Sequence, residues 1–285
     1  MEQRHASAYV AEFVGTFVLV LFICMAVSVQ VGGFRAPDFV LIGLVHAFTL
    51  AMLIYALGSA SGAHFNPAVT ISMLATGNVK LMRATVYIVA QLLGGIAGAG
   101  ILTLIFPALG ELGRNNDGVN LGVPGLGPDV TAFGGVLLEA VMTFFLVLVI
   151  FGTAVDSRGP KAIAPLLIGL TITMDIVFGG SITGAAMNPA RAFGPEVVQQ
   201  DFTNFWIYWI GPIVGGLVAA FLYTFLFLQP QRSPQGQAVA TLRSRVITSP
   251  EHAKRILRAL QENVRRYEEH FGVIEEATDL PKVTH

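Results

Sequence analysis

Six stretches of this chain are each long and apolar enough to cross a lipid bilayer: 8–30, 38–58, 81–107, 131–154, 161–181 and 205–229. A spanning helix needs about 20 apolar residues. Inside hydrocarbon every backbone N–H and C=O must be paired within the protein, which leaves only helices or closed barrels. Stretches of this length specify helices. Two further apolar pieces, 66–76 and 188–199, are too short to span. No small-residue cleavage site follows a short apolar run at the N-terminus, so 8–30 reads as a span rather than a signal peptide. The fold class expected is an all-α membrane protein.

Composition agrees and adds a boundary. Only 12% of the 285 residues are charged and 54% are hydrophobic, whereas soluble domains are about 25% charged. The charge is uneven: residues 1–230 hold 8 Lys/Arg and 11 Asp/Glu, and residues 231–285 hold 9 and 7. The chain therefore divides into a membrane domain, 1–230, and a tail of ordinary soluble composition, 231–285. A net charge of −1 argues against a nucleic-acid partner. Cys24 is the only cysteine, which excludes a disulfide framework and a cysteine metal site. No nucleophile elbow, metal-ligand cluster or phosphate loop is present, so no enzyme chemistry, metal or cofactor is expected. Lys/Arg bias orients the spans. Arg4, Lys80, Arg83, Arg158, Lys161 and the tail arginines fall on one side, Arg35 and Arg114 on the other. Both termini are expected in the cytoplasm of a cell membrane.

The membrane domain repeats itself. Glu12, Thr16 and Phe17 recur as Glu139, Thr143 and Phe144, 127 residues later. Gly62-Ala63-x-x-Asn66-Pro67-Ala68 recurs as Gly184-Ala185-x-x-Asn188-Pro189-Ala190, 122 later. Tyr87 with Gly94-Gly95 recurs as Tyr208 with Gly215-Gly216, 121 later. Repeat one covers about 8–107 and repeat two about 131–229. Three spans per repeat put the second copy upside down in the membrane. In such inverted repeats the functional site lies near the midplane, at the interrupted segments.

Asn-Pro-Ala starts a helix. Proline at the first helical position loses no hydrogen bond, because that N–H has no partner anyway. Asparagine before it is a good N-cap. Two half helices entering from opposite faces would meet N-terminus to N-terminus, each carrying about half a positive charge. Amide N–H groups left over from capping would face any passing oxygen. Such a midpoint suits neutral molecules with lone pairs and repels cations and protons.

The paired motifs, Ala-Glu-Phe at 11–13, Tyr-Ile-Val-Ala-Gln at 87–91 and Asn-Pro-Ala-Arg at 188–191 resemble the aquaporin (major intrinsic protein) family over about residues 8–229. The resemblance implies a right-handed bundle of six spanning helices plus two re-entrant half helices, and a homotetramer with a pore in each subunit. It implies passive conduction of water and small neutral solutes. Carried over by spacing, the family's four filter positions fall on His46, Ile176, Ala185 and Arg191. Strictly water-selective members usually place phenylalanine at the first position and histidine at the second. This His/Ile/Ala/Arg set looks more like the tonoplast-intrinsic and ammonia-permeable types, so water is expected, with ammonia or hydrogen peroxide as further solutes. Glycerol-conducting relatives usually have aspartate where Ala192 stands. Ala185 also replaces the cysteine that gives mercury block in some members, so weak mercury sensitivity is expected.

Other polar residues in the spans need roles. A buried carboxylate is expensive. Glu12 and Glu139 either relay protons or accept hydrogen bonds from re-entrant-loop backbone; their duplication and the lack of a partner base favour the second. His64 is expected to line the pore through its carbonyl, with Gly184 as its counterpart. Asp175 precedes Ile176 by about 100° of helix rotation, which places it beside the pore; it either bonds a loop or shapes the filter. In the tail, Ser249-Pro250-Glu251 starts a helix over about 250–271, whose stripe is Ala253, Leu257, Leu260, Val264, Tyr267 and Phe271. It lies on the domain or headgroups, or bundles with other copies or an unknown partner. An ion-coupled transporter and a structural membrane protein are the alternatives from other classes.

Overall fold

The computed structural model describes residues 2–31, 38–105 and 121–227, and eight residues of the tail: 257–258, 261–262, 264–265 and 268–269. Eight helices make up the described membrane domain. They are α1 (Glu2–Val31), α2 (Phe39–Ser61), α3 (Pro67–Ala75), α4 (Leu81–Ile105), α5 (Ala132–Ile150), α6 (Ala164–Thr183), α7 (Pro189–Gln199) and α8 (Ile207–Leu226). The six longer ones are the spans; α3 and α7 are the half helices. Both half helices begin as their sequences dictate. Asn66 and Asn188 are N-caps in extended conformation, followed by Pro67 and Pro189. The helices before them stop at left-handed glycines, Gly62 (φ 93°) after α2 and Gly184 (φ 83°) after α6, a conformation glycine adopts without steric cost.

Packing follows the duplication. Within the repeats α1 lies on α4 and α5 on α8, while α1 meets α2 and α5 meets α6. Across the repeats α2 crosses α6, α4 embraces α7 and α8 embraces α3. Each half helix is thus held by the third span of the other repeat. Lipid tails are as apolar as leucine, so these contacts rest on close backbone approach. A Cβ on Gly95 would stand 2.5 Å from the Ala190 carbonyl oxygen, and one on Gly216 would stand 2.7 Å from Ser72 Oγ. These glycine pairs therefore set how deeply the half helices sit.

After α5 the chain makes one π-helical turn, Phe151–Val155, and then a polar latch. Arg158 pairs with Asp156, Nη2 to Oδ2 at 2.6 Å and Nε to Oδ1 at 3.0 Å. Its Nη2 also donates to the Phe227 carbonyl, and the Tyr223 hydroxyl donates to Asp156 Oδ2 at 3.1 Å. The latch ties the α5–α6 loop to the end of α8. The Arg158 guanidinium holds the Asp156 carboxyl well below the usual carboxylate range. A depressed acid stabilises the fold above its unfolded pKa of about 3.9 and ceases to do so as pH falls through the folded value. Asp156→Asn is therefore expected to lower the melting temperature at pH 7, with the gap to wild type closing below about pH 4. Thermal unfolding in detergent across pH checks this.

In the second unit, 230–285, the described residues are helical. Arg265 bonds Glu262 at 2.9 Å and Glu269 at 2.6 Å. Leu257 and Val264, one heptad apart, are both exposed there. Ala253, Leu260, Tyr267 and Phe271 of the expected stripe lie outside the described residues, as do Arg35 and Arg114.

Candidate pore and its constriction

The two re-entrant loops are near copies in three dimensions. Glu12 Oε1 accepts from the Ser61 hydroxyl at 2.6 Å and the His64 N–H at 3.0 Å; its Oε2 accepts from the Phe65 N–H at 2.8 Å. Glu139 Oε1 accepts from the Thr183 hydroxyl at 2.7 Å and the Ala186 N–H at 3.0 Å; its Oε2 accepts from the Met187 N–H at 2.8 Å. The Tyr87 hydroxyl donates to the Ser61 carbonyl at 2.7 Å, and that of Tyr208 to the Thr183 carbonyl at 2.9 Å. Both glutamates are fully buried. A buried carboxylate with this many donors is no longer an uncompensated charge.

What the carboxylates hold is an unusual backbone. Ala63 (φ 53°) and Phe65 (φ 48°) are left-handed, and so are Ala185 (φ 44°) and Met187 (φ 51°). Each such residue costs roughly 1–2 kcal/mol with a Cβ present and persists only where its surroundings over-determine it. The N–H bonds to Glu12 and Glu139 supply that determination.

At the centre the two loops interlock. Asn66 Nδ2 donates to the Met187 carbonyl at 2.9 Å, and Asn188 Nδ2 donates to the Phe65 carbonyl at 2.9 Å. Asn66 Oδ1 caps α3 at the Ala68 N–H, 2.8 Å. Asn188 Oδ1 caps α7 at the Ala190 N–H, 3.0 Å. An amide has two N–H bonds, so each asparagine keeps one. Both side chains line a cavity of about 240 Å³. Its lining includes Ile54, Met73, Ala154 and Val155 together with Asn66, Asn188, His46 and His64, and is otherwise apolar. Two of its lining residues, Ala154 and Val155, belong to the π turn.

A second space of about 260 Å³ is lined by Ile176, Gly184, Arg191 and the 122–127 segment. His46 lines the first space, and Ile176 and Arg191 line the second. Ala185 is fully buried in the same apolar cluster as Ile176 and lines neither. Arg191 Nη1 donates to the Gly122 carbonyl at 2.8 Å, while its buried Nε has no partner, and neither has His46 Nδ1. His64 lines the first cavity; its Nδ1 lies 3.0 Å from Thr70 Oγ1 and its ring meets Tyr87 edge-on. Asp175 is buried, its Oδ2 unpartnered, and it lines neither space.

Sequence reasoning passed over several members of this site. Ser61 and Thr183 occupy equivalent places 122 residues apart, and their residue types differ, which hid the correspondence. Tyr87 and Tyr208 were visible as repeat markers only. Gln91 Nε2 donates to Glu12 Oε2 at 2.8 Å and to Thr70 Oγ1 at 2.9 Å. Repeat two has Pro212 and Ala192 at these places, so this branch exists in one half alone. Glu196 on α7 is fully buried with neither oxygen hydrogen-bonded.

Six spans in an inverted repeat, with half helices joined through their capping asparagines inside a lined passage, define a multi-pass membrane channel. The Major intrinsic protein model matches residues 2–223. The chain is 39% identical to Nodulin-26 of Glycine max, covering 76% of each chain. It is 39% identical to Aquaporin-4 of Mus musculus, covering 79% of this chain and 68% of that one. The X-ray structure of the aquaglyceroporin from Plasmodium falciparum superposes with a TM-score of 0.70 at 25% identity, over 78% of this chain and 96% of that one. A second model, described as a protein of unknown function (DUF3467), matches residues 193–276. The chain belongs to the major intrinsic protein, or aquaporin, family, whose members are passive channels for water and small neutral solutes rather than enzymes.

Proposed function

We propose that the passage through Asn66 and Asn188 conducts water in single file, with ammonia and hydrogen peroxide as further solutes, and excludes protons and ions. The observation that carries this reading is the interlock of the two capping asparagines, which leaves one amide N–H each for a passing oxygen. Water arriving there turns its oxygen toward both donors and its hydrogens away. Two half-helix N-termini add about one positive charge in total beside the same point, which opposes a proton or cation. His46, Ile176 and Arg191 form the filter in this reading, with Ala185 buried outside both spaces and backing it. Glu12 and Glu139 keep the loops in shape, and His64 and Gly184 contribute carbonyls. Ile176 presents no hydrogen-bonding side chain, which leaves His46 and Arg191 to replace part of a solute's hydration; that division admits ammonia alongside water.

The channel assembles as a homotetramer with both termini in the cytoplasm of a cell membrane. The family supports the assembly and the Lys/Arg bias supports the orientation.

A solute panel on one proteoliposome preparation tests the reading. Stopped-flow shrinkage is expected to be at least tenfold faster than in protein-free vesicles. Internal alkalinisation after an ammonium jump is expected to accelerate as well. Water permeability at the lipid-control rate refutes the proposal. Glycerol is the competing solute, because the superposable structure is that of an aquaglyceroporin; glycerol uptake faster than water flux would favour it. Ala192 after Asn-Pro-Ala-Arg argues against that outcome.

A further inference from the structure

The two repeats differ at three places that form one chain of hydrogen bonds. His64, Thr70 and Gln91 stand where repeat two has Ala186, Ala192 and Pro212. Gln91 Nε2 donates to Thr70 Oγ1 at 2.9 Å, and His64 Nδ1 lies 3.0 Å from the same oxygen. None of the three replacements has a side chain that could make these bonds. His64 lines the first cavity beside Gly62, and a Cβ added to Gly62 would stand 3.6 Å from His64 Nε2.

Counting hydrogens along this chain decides which nitrogen of His64 carries the proton. Glu12 takes bonds from Ser61, His64, Phe65 and Gln91. A carboxylate has no hydrogen to give, so Gln91 must turn its NH₂ toward it, and the second N–H of that group goes to Thr70. Gln91 Oε1 is left buried without a bond, so the two donations alone orient the amide. Thr70 Oγ1 has one hydrogen and two lone pairs. Gln91 occupies one lone pair, and the hydrogen goes to the Asn66 carbonyl at 3.0 Å. A lone pair is what remains for His64, so Nδ1 bears the hydrogen there. The reverse arrangement, with the hydroxyl donating to a bare Nδ1, gives up the bond to Asn66 and makes one bond fewer. A neutral imidazole has a single N–H. Nε2 is then a bare lone pair left to the cavity.

We propose that Thr70 is a positioning residue that holds the His64 proton on Nδ1, which makes Nε2 a hydrogen acceptor for permeant water. The inference rests on the water conduction proposed above. Asn66 and Asn188 offer N–H groups to the permeant oxygen, and His64 Nε2 takes one of its hydrogens. The acceptor belongs to repeat one alone, so the passage is chemically asymmetric although its backbone is duplicated.

The test reads the tautomer and the flux separately, on full-length protein. The tautomer comes from ¹⁵N NMR of histidine-labelled protein at about pH 8, where histidine is neutral; His64 is assigned by difference from His64→Asn. Wild type is expected to show Nδ1 protonated and Nε2 bare. Thr70→Val keeps the side-chain shape and removes the acceptor, so the proton is expected to move to Nε2. Water permeability in proteoliposomes is then expected to fall about fivefold, the factor that one neutral hydrogen bond brings. Thr70→Ser restores both. A wild-type His64 protonated on Nε2 overturns the proposal, and this holds even if Thr70→Val does not fold. An unchanged tautomer in folded Thr70→Val also overturns it, as does a switched tautomer with unchanged flux. Wild-type water permeability at the lipid-control rate would instead refute the conduction reading, and the NMR result would stand apart from it.

Discussion

Glu139→Leu is expected to destabilise the channel by about 5 kcal/mol, which is as much as many domains possess. Leucine has nearly the volume of glutamate, so the change removes acceptors without opening a large cavity. It leaves the Ala186 and Met187 N–H groups unsatisfied in a buried place, at about 1–3 kcal/mol each. It also frees the Thr183 hydroxyl. The loop is then no longer compelled to keep Ala185 and Met187 left-handed, and relaxing them moves the Met187 carbonyl away from Asn66. Asn66 and the α3 cap therefore suffer from a substitution in the other repeat. Glu12→Leu is expected to cost at least as much, since Glu12 also loses the bond from Gln91. Glu139→Gln keeps the shape but turns an NH₂ toward a donor, and should fall between. Thermal unfolding together with water flux measures the series. If Glu139→Leu melts within a degree of wild type, the loop-holding role is wrong. If Glu139→Gln folds normally but alters proton flux, the carboxylate is instead a proton relay.

Arg191→Val is expected to raise proton and cation leak by about two orders of magnitude, with water flux changing only severalfold. A unit charge about 5 Å from a permeating cation, at an effective dielectric constant of about 20, opposes it by about 3 kcal/mol. Removing it lowers that barrier by the same amount. The two half-helix N-termini remain, so the leak stays well below that of an open water wire. The lost bond to the Gly122 carbonyl loosens the 122–127 wall of the second space, which should also admit slightly larger solutes. A pH-sensitive dye inside proteoliposomes, with potassium and valinomycin to set the potential, reads the leak. Unchanged proton flux would place the barrier entirely at the asparagines and remove Arg191 from the filter.

The legible and illegible parts of this site differ for a physical reason. Span positions were legible because hydrocarbon tolerates few polar groups, so each long apolar run could be only a helix. The half helices were legible because Asn-Pro-Ala is a local capping signal, needing no tertiary contact to act. Glu12 and Glu139 stood out because a carboxylate in a span must have a partner, and the repeat showed two. Ser61, Thr183, Gln91 and the left-handed alanines were not legible. A serine or alanine carries no mark of what it touches, and a left-handed non-glycine residue is disfavoured locally until something distant holds it. Asp175 and Glu196 show the reverse. Their charge is conspicuous in the sequence, but whether a buried acid is bonded depends on groups that only packing brings near.

Six spans, two half helices, their inversion and the polar midpoint are all readable along the chain, since each follows from local hydrophobicity, capping or an odd number of crossings. Tertiary structure decided how the halves close on each other. Each asparagine reaches the carbonyl before the other asparagine, across the repeat boundary. Each half helix sinks against a glycine of the opposite repeat. Those contacts join residues more than 90 positions apart, and their geometry depends on strained backbone that distant carboxylates hold in place.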